Sequence, residues 1–127
     1  MKAMLMGIAL AAVATAGFSG AAKAVPPASR SVKYFDEFGN LVGQQYLLCS
    51  GIAKHGGNIH TAYHIEEATS CPSGGDQGWI VPGKIVVAYT LPSSLTIDSA
   101  CSVAHCQGDY VPEVNVLGLW PYSVGYQ

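Results

Sequence analysis

"YFDEFGNLVGQQYLLCSGIAKHGG", Tyr34 to Gly57, combines two aromatic-rich runs, a Gly-Asn pair, one cysteine and a His-Gly-Gly. "VKYFDE" ahead of Phe38-Gly39-Asn40 reads as a strand, and "LVGQQYLLC" after it as a second. The three residues between them tolerate positive φ, so the stretch predicts a β-hairpin. "KHGG", Lys54 to Gly57, reads as the next turn. "NIHTAYHIEEA" then alternates: Ile59, Thr61, Tyr63 and Ile65 on one face, His60, Ala62, His64 and Glu66 on the other. Period two with one apolar face predicts a half-buried strand, the third of a meander.

Outward toward the N-terminus, "VPPASRS" (Val25 to Ser31) is expected to be an extended, flexible leader, since Pro26 and Pro27 block helix. Before it, Lys2 precedes the apolar run Ala3 to Phe18 and then Ala22-Lys23-Ala24. This is the layout of a secretory signal peptide, with cleavage expected after Ala24 and Ala21 as the second choice. The 16-residue run is shorter than the roughly 20 residues a membrane span needs. Residues 1–24 are therefore read as a signal peptide, 25–31 as the leader and 32–127 as a single small domain. After cleavage, no stable membrane span is expected, and the product is exported to the periplasm or the medium.

Cleavage leaves 103 of the 127 residues. It removes Lys2 and Lys23, so four basic residues face eight acidic ones, a net charge of −4 with neutral histidines. That balance disfavours nucleic acid and anionic membranes, which reward clustered Lys and Arg. Cys49, Cys71, Cys101 and Cys106 form an even set in a small exported chain, which reads as disulfides. Three pairings exist. Cys49–Cys71 with Cys101–Cys106 is favoured, because each pair is close in sequence and flanks a turn-rich segment.

Toward the C-terminus, "CPSGGDQG" (Cys71 to Gly78) is a loop by composition. "KIVVAYTL" (Lys84 to Leu91) predicts a buried strand. "SSLTIDSACSVAHCQG" predicts one short helix near residues 96–104, started by a serine or threonine and carrying Asp98 in its first turn. A Cys101–Cys106 bridge requires the helix to end before Cys106. "YVPEVNVLGLW" returns to strand character. The fold class expected is mainly β: a small antiparallel sheet or sandwich with one short helix and two disulfides.

"KYFDEFGNLVGQQYLLCSG" resembles a family of small exported bacterial proteins of unknown function, on Tyr34, Phe35, Asp36, Val42, Gly43, Gln44, Cys49, Gly51, Gly57, Thr61 and Tyr63. The resemblance covers roughly residues 1–65, and this chain adds a long second half after Cys71. It implies export and no particular activity.

Candidate chemistry is sparse. His55, His60 and His64 could ligate zinc or copper, but on a strand His60 and His64 stand about 13 Å apart, too far for one ion. A polar strand face toward water is the plainer reading, and no metal or cofactor is expected. Cys101 and Cys106 lack the spacing of a redox motif. No Gly-x-Ser-x-Gly occurs. Glu66 and Glu67 are adjacent, so they point to opposite faces and cannot act as one acid–base pair. Trp79, Trp120, Tyr122 and Tyr126 could form a platform for a sugar or a peptide, best placed on the loop that carries Asp76 and Trp79.

The expectation is a non-catalytic exported protein that acts by binding or envelope association, with an unknown protein or glycan as partner. Two alternatives are a small inhibitor of a secreted hydrolase or toxin, and a metal-binding protein using His55, His60 and His64.

Overall fold

The computed structural model describes residues 25–72, 74–108 and 116–127. The signal peptide expected over residues 1–24 and most of the strand expected after Tyr110 lie outside the described residues.

The hairpin forms as its sequence predicts. Strand β1 (Ala28–Phe35) and strand β2 (Leu41–Leu47) pair antiparallel, with a bulge between Tyr34 and Phe35. Asp36 organises the turn. Its Oδ1 accepts from the Phe38 N–H at 2.9 Å and the Asn40 N–H at 2.8 Å, its Oδ2 accepts from the Asn40 amide at 3.0 Å, and Gly39 supplies φ +84°.

The Lys54–Gly57 segment is strand β3 (Ala53–Gly57), a correction to the turn expected there. The chain reverses earlier, through Leu48–Ile52, where the Gly51 N–H donates to the Leu48 carbonyl at 2.9 Å. The glycines of this segment serve close packing. Gly57 stands opposite Gly43 on β2, and a Cβ on Gly43 would collide with the backbone of Asn58. The next strand, β4 (Tyr63–Ser70), begins four residues later than Ile59 and pairs with β1 rather than continuing the meander.

Strand β5 (Val86–Thr90) lies outside β4, and strand β6 (Tyr122–Val124) lies outside β3. The single six-stranded antiparallel sheet runs β5-β4-β1-β2-β3-β6. The strand expected over Lys84–Leu91 is therefore shorter and is an edge strand, buried at Val86 and exposed from Tyr89 on. The leader expected over 25–31 becomes β1 from Ala28 onward, with Ala28, Ser29 and Ser31 buried, so it is not a flexible arm there. Around Leu117–Leu119 the chain makes a single 3-10 turn in place of strand.

Helix α1 (Ile97–Ala104) covers one face of the sheet. Thr96 caps it, its hydroxyl accepting from the Ser99 N–H at 3.2 Å, and Asp98 sits where the helix dipole favours a negative charge. His105 ends it in the left-handed conformation, φ +53°. The buried residues of α1 are Ala100, Cys101 and Ala104. They pack with Phe35, Ile65, Val81 and Val86 in the main core. A smaller cluster, Val32, Tyr34 and Ile59, lies on the opposite face of the sheet. Ile59 thus parts from Ile65, with which strict alternation had grouped it.

Both expected disulfides are present, Cys49–Cys71 and Cys101–Cys106. The first ties the β2–β3 turn to the end of β4, across the start of β1. By the loop-entropy account it contributes about 3 kcal/mol and the second about 2 kcal/mol.

Candidate functional site

Two places concentrate polar chemistry, and both grow from the pairing of β1 with β4. Adjacent residues on a strand point to opposite faces, so Glu66 and Glu67 separate as expected. Glu66 forms an ion pair with Arg30 on the open face, and Glu67 forms one with Lys33 beneath the helix.

The buried pair is closely built. Lys33 Nζ lies 2.7 Å from Glu67 Oε1, and both side chains are fully buried. Lys33 Nζ also donates to the His105 carbonyl at 3.3 Å, and Glu67 Oε2 accepts from the Gln107 N–H at 2.7 Å. The pair therefore holds the end of α1 to the sheet. Burial pulls the Lys33 ammonium below the ordinary lysine value, opposed by the charge and hydrogen bond of Glu67 and aided by the nearby Lys84.

The open face carries Arg30, Tyr34, Gln45, Glu66, His55 and the last residues of the chain. Gln45 bridges them: its amide nitrogen donates to the Tyr34 hydroxyl at 2.6 Å and its oxygen accepts from the Gln127 N–H at 2.9 Å. His55 Nδ1 lies 2.8 Å from the Gly125 carbonyl. Burial pushes the Tyr34 phenol up against the opposing effect of the Gln45 hydrogen bond. The Tyr126 phenol is also raised by burial, with Glu66 and Tyr34 adding to the shift. Residues 125–127 thus lie along this face, a nonlocal contact that the short aromatic tail did not signal.

The residues singled out from sequence do not converge. His55 is on β3 and His64 on β4, three strand spacings apart, roughly 14 Å. His60 is exposed in the β3–β4 connection, and the His64 ring faces Tyr34 at 6.2 Å between centroids. Among the described residues no three His, Cys, Asp or Glu side chains are grouped to hold a metal ion. Trp79 is half exposed, yet it is pinned: its indole N–H donates to the Ala68 carbonyl at 3.3 Å, and the Ile80 N–H donates to the Val86 carbonyl at 2.9 Å. Asp76 is exposed on the same loop. That loop flanks β5, at the far edge of the sheet from Trp120 and Tyr122, so the four aromatics do not make one platform.

The β6 edge gathers exposed apolar groups. Tyr122 and Val124 on β6 are 55% and 83% exposed, and Leu119 on the turn before it is 69% exposed. Lys54 Nζ lies 5.0 Å from the centroid of the Tyr122 ring and props it. No charged residue occurs from Leu117 to Gln127. A cleft of about 240 Å³, lined by Val81, Lys84, Asp98, Cys101 and Ser102, opens beside the second disulfide. Among the described residues no helix is long and apolar enough to cross a membrane.

No family model, curated protein or solved structure matches this chain.

Proposed function

We propose that this chain is an exported, non-catalytic module that acts by contact, with the β6 edge as its contact surface and a protein or glycan of the cell envelope as partner. The observation that carries the reading is the exposure of Tyr122 and Val124 on an edge strand without a charge, with exposed Leu119 on the turn just before it. Edge strands of this kind ordinarily carry charge, proline or a covering segment against unwanted pairing. The opposite edge is partly covered, because the loop through Trp79 and Ile80 bonds to β5. Large exposed apolar groups on a rigid support suit binding, since little entropy is lost on docking. Two disulfides in a small chain, together with the apolar run Ala3 to Phe18 of the expected signal peptide, support an oxidising destination, periplasmic or extracellular.

The test is retention of the oxidised protein on isolated envelope from an exporting host. Wild type is expected to be retained, and Val124→Lys to lose at least about tenfold in affinity with its fold unchanged by circular dichroism. Equal retention of the two proteins, or substrate turnover that depends on one residue, sinks the reading. Stoichiometric inhibition of a single hydrolase would replace it with the inhibitor reading.

A further inference from the structure

Lys33 and Glu67 present a primary amine and a carboxyl group to each other inside the core. Nζ stands 2.7 Å from Oε1, with both side chains fully buried. On the antiparallel pair β1–β4, Lys33 lies opposite Ile65 and Glu67 opposite Ser31, so the two side chains meet on a diagonal of one face. Two backbone groups fix the reacting ends. The Gln107 N–H reaches Oε2 at 2.7 Å, and the His105 carbonyl accepts from Nζ at 3.3 Å. An amine held against a carboxyl group, with a backbone donor on the second oxygen, supplies the nucleophile and the oxyanion donor of an acyl transfer. Burial favours the neutral amine, and the Lys84 charge acts in the same direction. A proton passed from Nζ to Oε1 leaves two neutral partners, which a water-poor core supports better than two ions.

We infer that Lys33 and Glu67 condense to an isopeptide bond that links β1 to β4. The ammonium gives one proton to Oε1. The amine lone pair then attacks Cδ, and negative charge develops on Oε2, where the Gln107 N–H stabilises it. Nζ passes a second proton to the Oε1 hydroxyl, which leaves as water, and the Nζ–Cδ amide keeps one hydrogen. The step consumes and releases nothing except that water, so it needs no oxidant, reductant or metal. The product retains both backbone contacts: the amide N–H still faces the His105 carbonyl, and the amide oxygen still faces the Gln107 N–H.

The test is intact mass of the folded wild-type protein after reduction and alkylation of its four cysteines, referred to the N-terminus found by peptide mapping. The expected mass is short by one water, with a branched peptide joining Lys33 to Glu67 and no tryptic cleavage after Lys33. Lys33→Arg keeps the positive charge but is expected to restore the full mass. A full-mass wild type with ordinary cleavage after Lys33 overturns the inference without recourse to any variant. A water deficit that persists in Lys33→Arg also overturns it, because the water was then lost elsewhere.

Discussion

Two ion pairs join β1 to β4, one on each face of the sheet, and they differ in everything except their charges. Arg30 and Glu66 meet on the open face with 41% and 22% of their side chains exposed, while Lys33 and Glu67 are sealed beneath the helix. Water solvates the first pair whether or not its partner is present. The second pair has only itself and the backbone of residues 105 and 107. The contrast separates attraction from dependence. An exposed pair adds little when formed and loses little when broken. A buried pair adds little relative to an apolar core but costs much when one partner goes, because the other charge is stranded.

The largest effect should follow from breaking the buried pair on one side. Lys33→Met leaves Glu67 alone in the core and is expected to lower unfolding free energy by about 3–5 kcal/mol, measured by urea denaturation. Adding Glu67→Leu should recover the part of that loss that comes from the stranded carboxylate, but not the part that comes from losing the Lys33–Glu67 link. A double variant as weak as the single one would show that the pair contributes more than mutual neutralisation. On the open face, Arg30→Ala should cost under about 1 kcal/mol, a loss that shrinks further in high salt. A cost matching that of Lys33→Met would erase the distinction between the faces.

The smallest effect is expected at Asp36, in the exposed β1–β2 turn. The Asn40 side chain, then its backbone N–H, hold the Asp36 carboxyl below the usual carboxylate value. Its stabilising contribution is complete above the unfolded carboxylate value and disappears as pH falls through the lower folded one. NMR titration should place its midpoint below that of an unstructured aspartate, and Asp36→Asn should remove this acid dependence from the urea midpoint. A midpoint at or above the unstructured value would contradict the turn geometry.

Local elements were legible in the sequence. Phe38, Gly39 and Asn40 announce their turn, though not the Asp36 carboxylate that organises it, and Thr96 and Asp98 announce the helix, because the atoms that decide these features lie within four residues of each other. Cys101 and Cys106 constrain the helix end in the same way. Strand order was not legible. That β4 returns to β1 depends on residues 28 to 42 positions apart, and nothing within β4 names its neighbour. The Gly56-Gly57 pair misled because glycine signals a turn on average, whereas here it permits close approach to Leu117 and to β2. The buried pair was hidden for a related reason: alternation puts Glu67 on the apolar face with Ile65, but nothing near it in sequence shows that Lys33 of β1 meets it there. The β6 edge was partly visible as an aromatic tail, but its exposure depends on where the sheet ends.

The sheet order also bears on how the domain is assembled. Strand β1 is central in the finished sheet but is the first strand among the described residues, and the partner on its far side, β4, does not begin until Tyr63. When the β1–β2 hairpin closes, the other side of β1 is a temporary edge, able to pair with any extended chain it meets. During that interval Lys33 is an exposed charge on an otherwise sticky strand, the kind of residue that discourages intermolecular pairing. Arrival of β4 brings Glu67 to it and covers that edge. A residue awkward in the finished core thus serves as a gatekeeper while the sheet is half built.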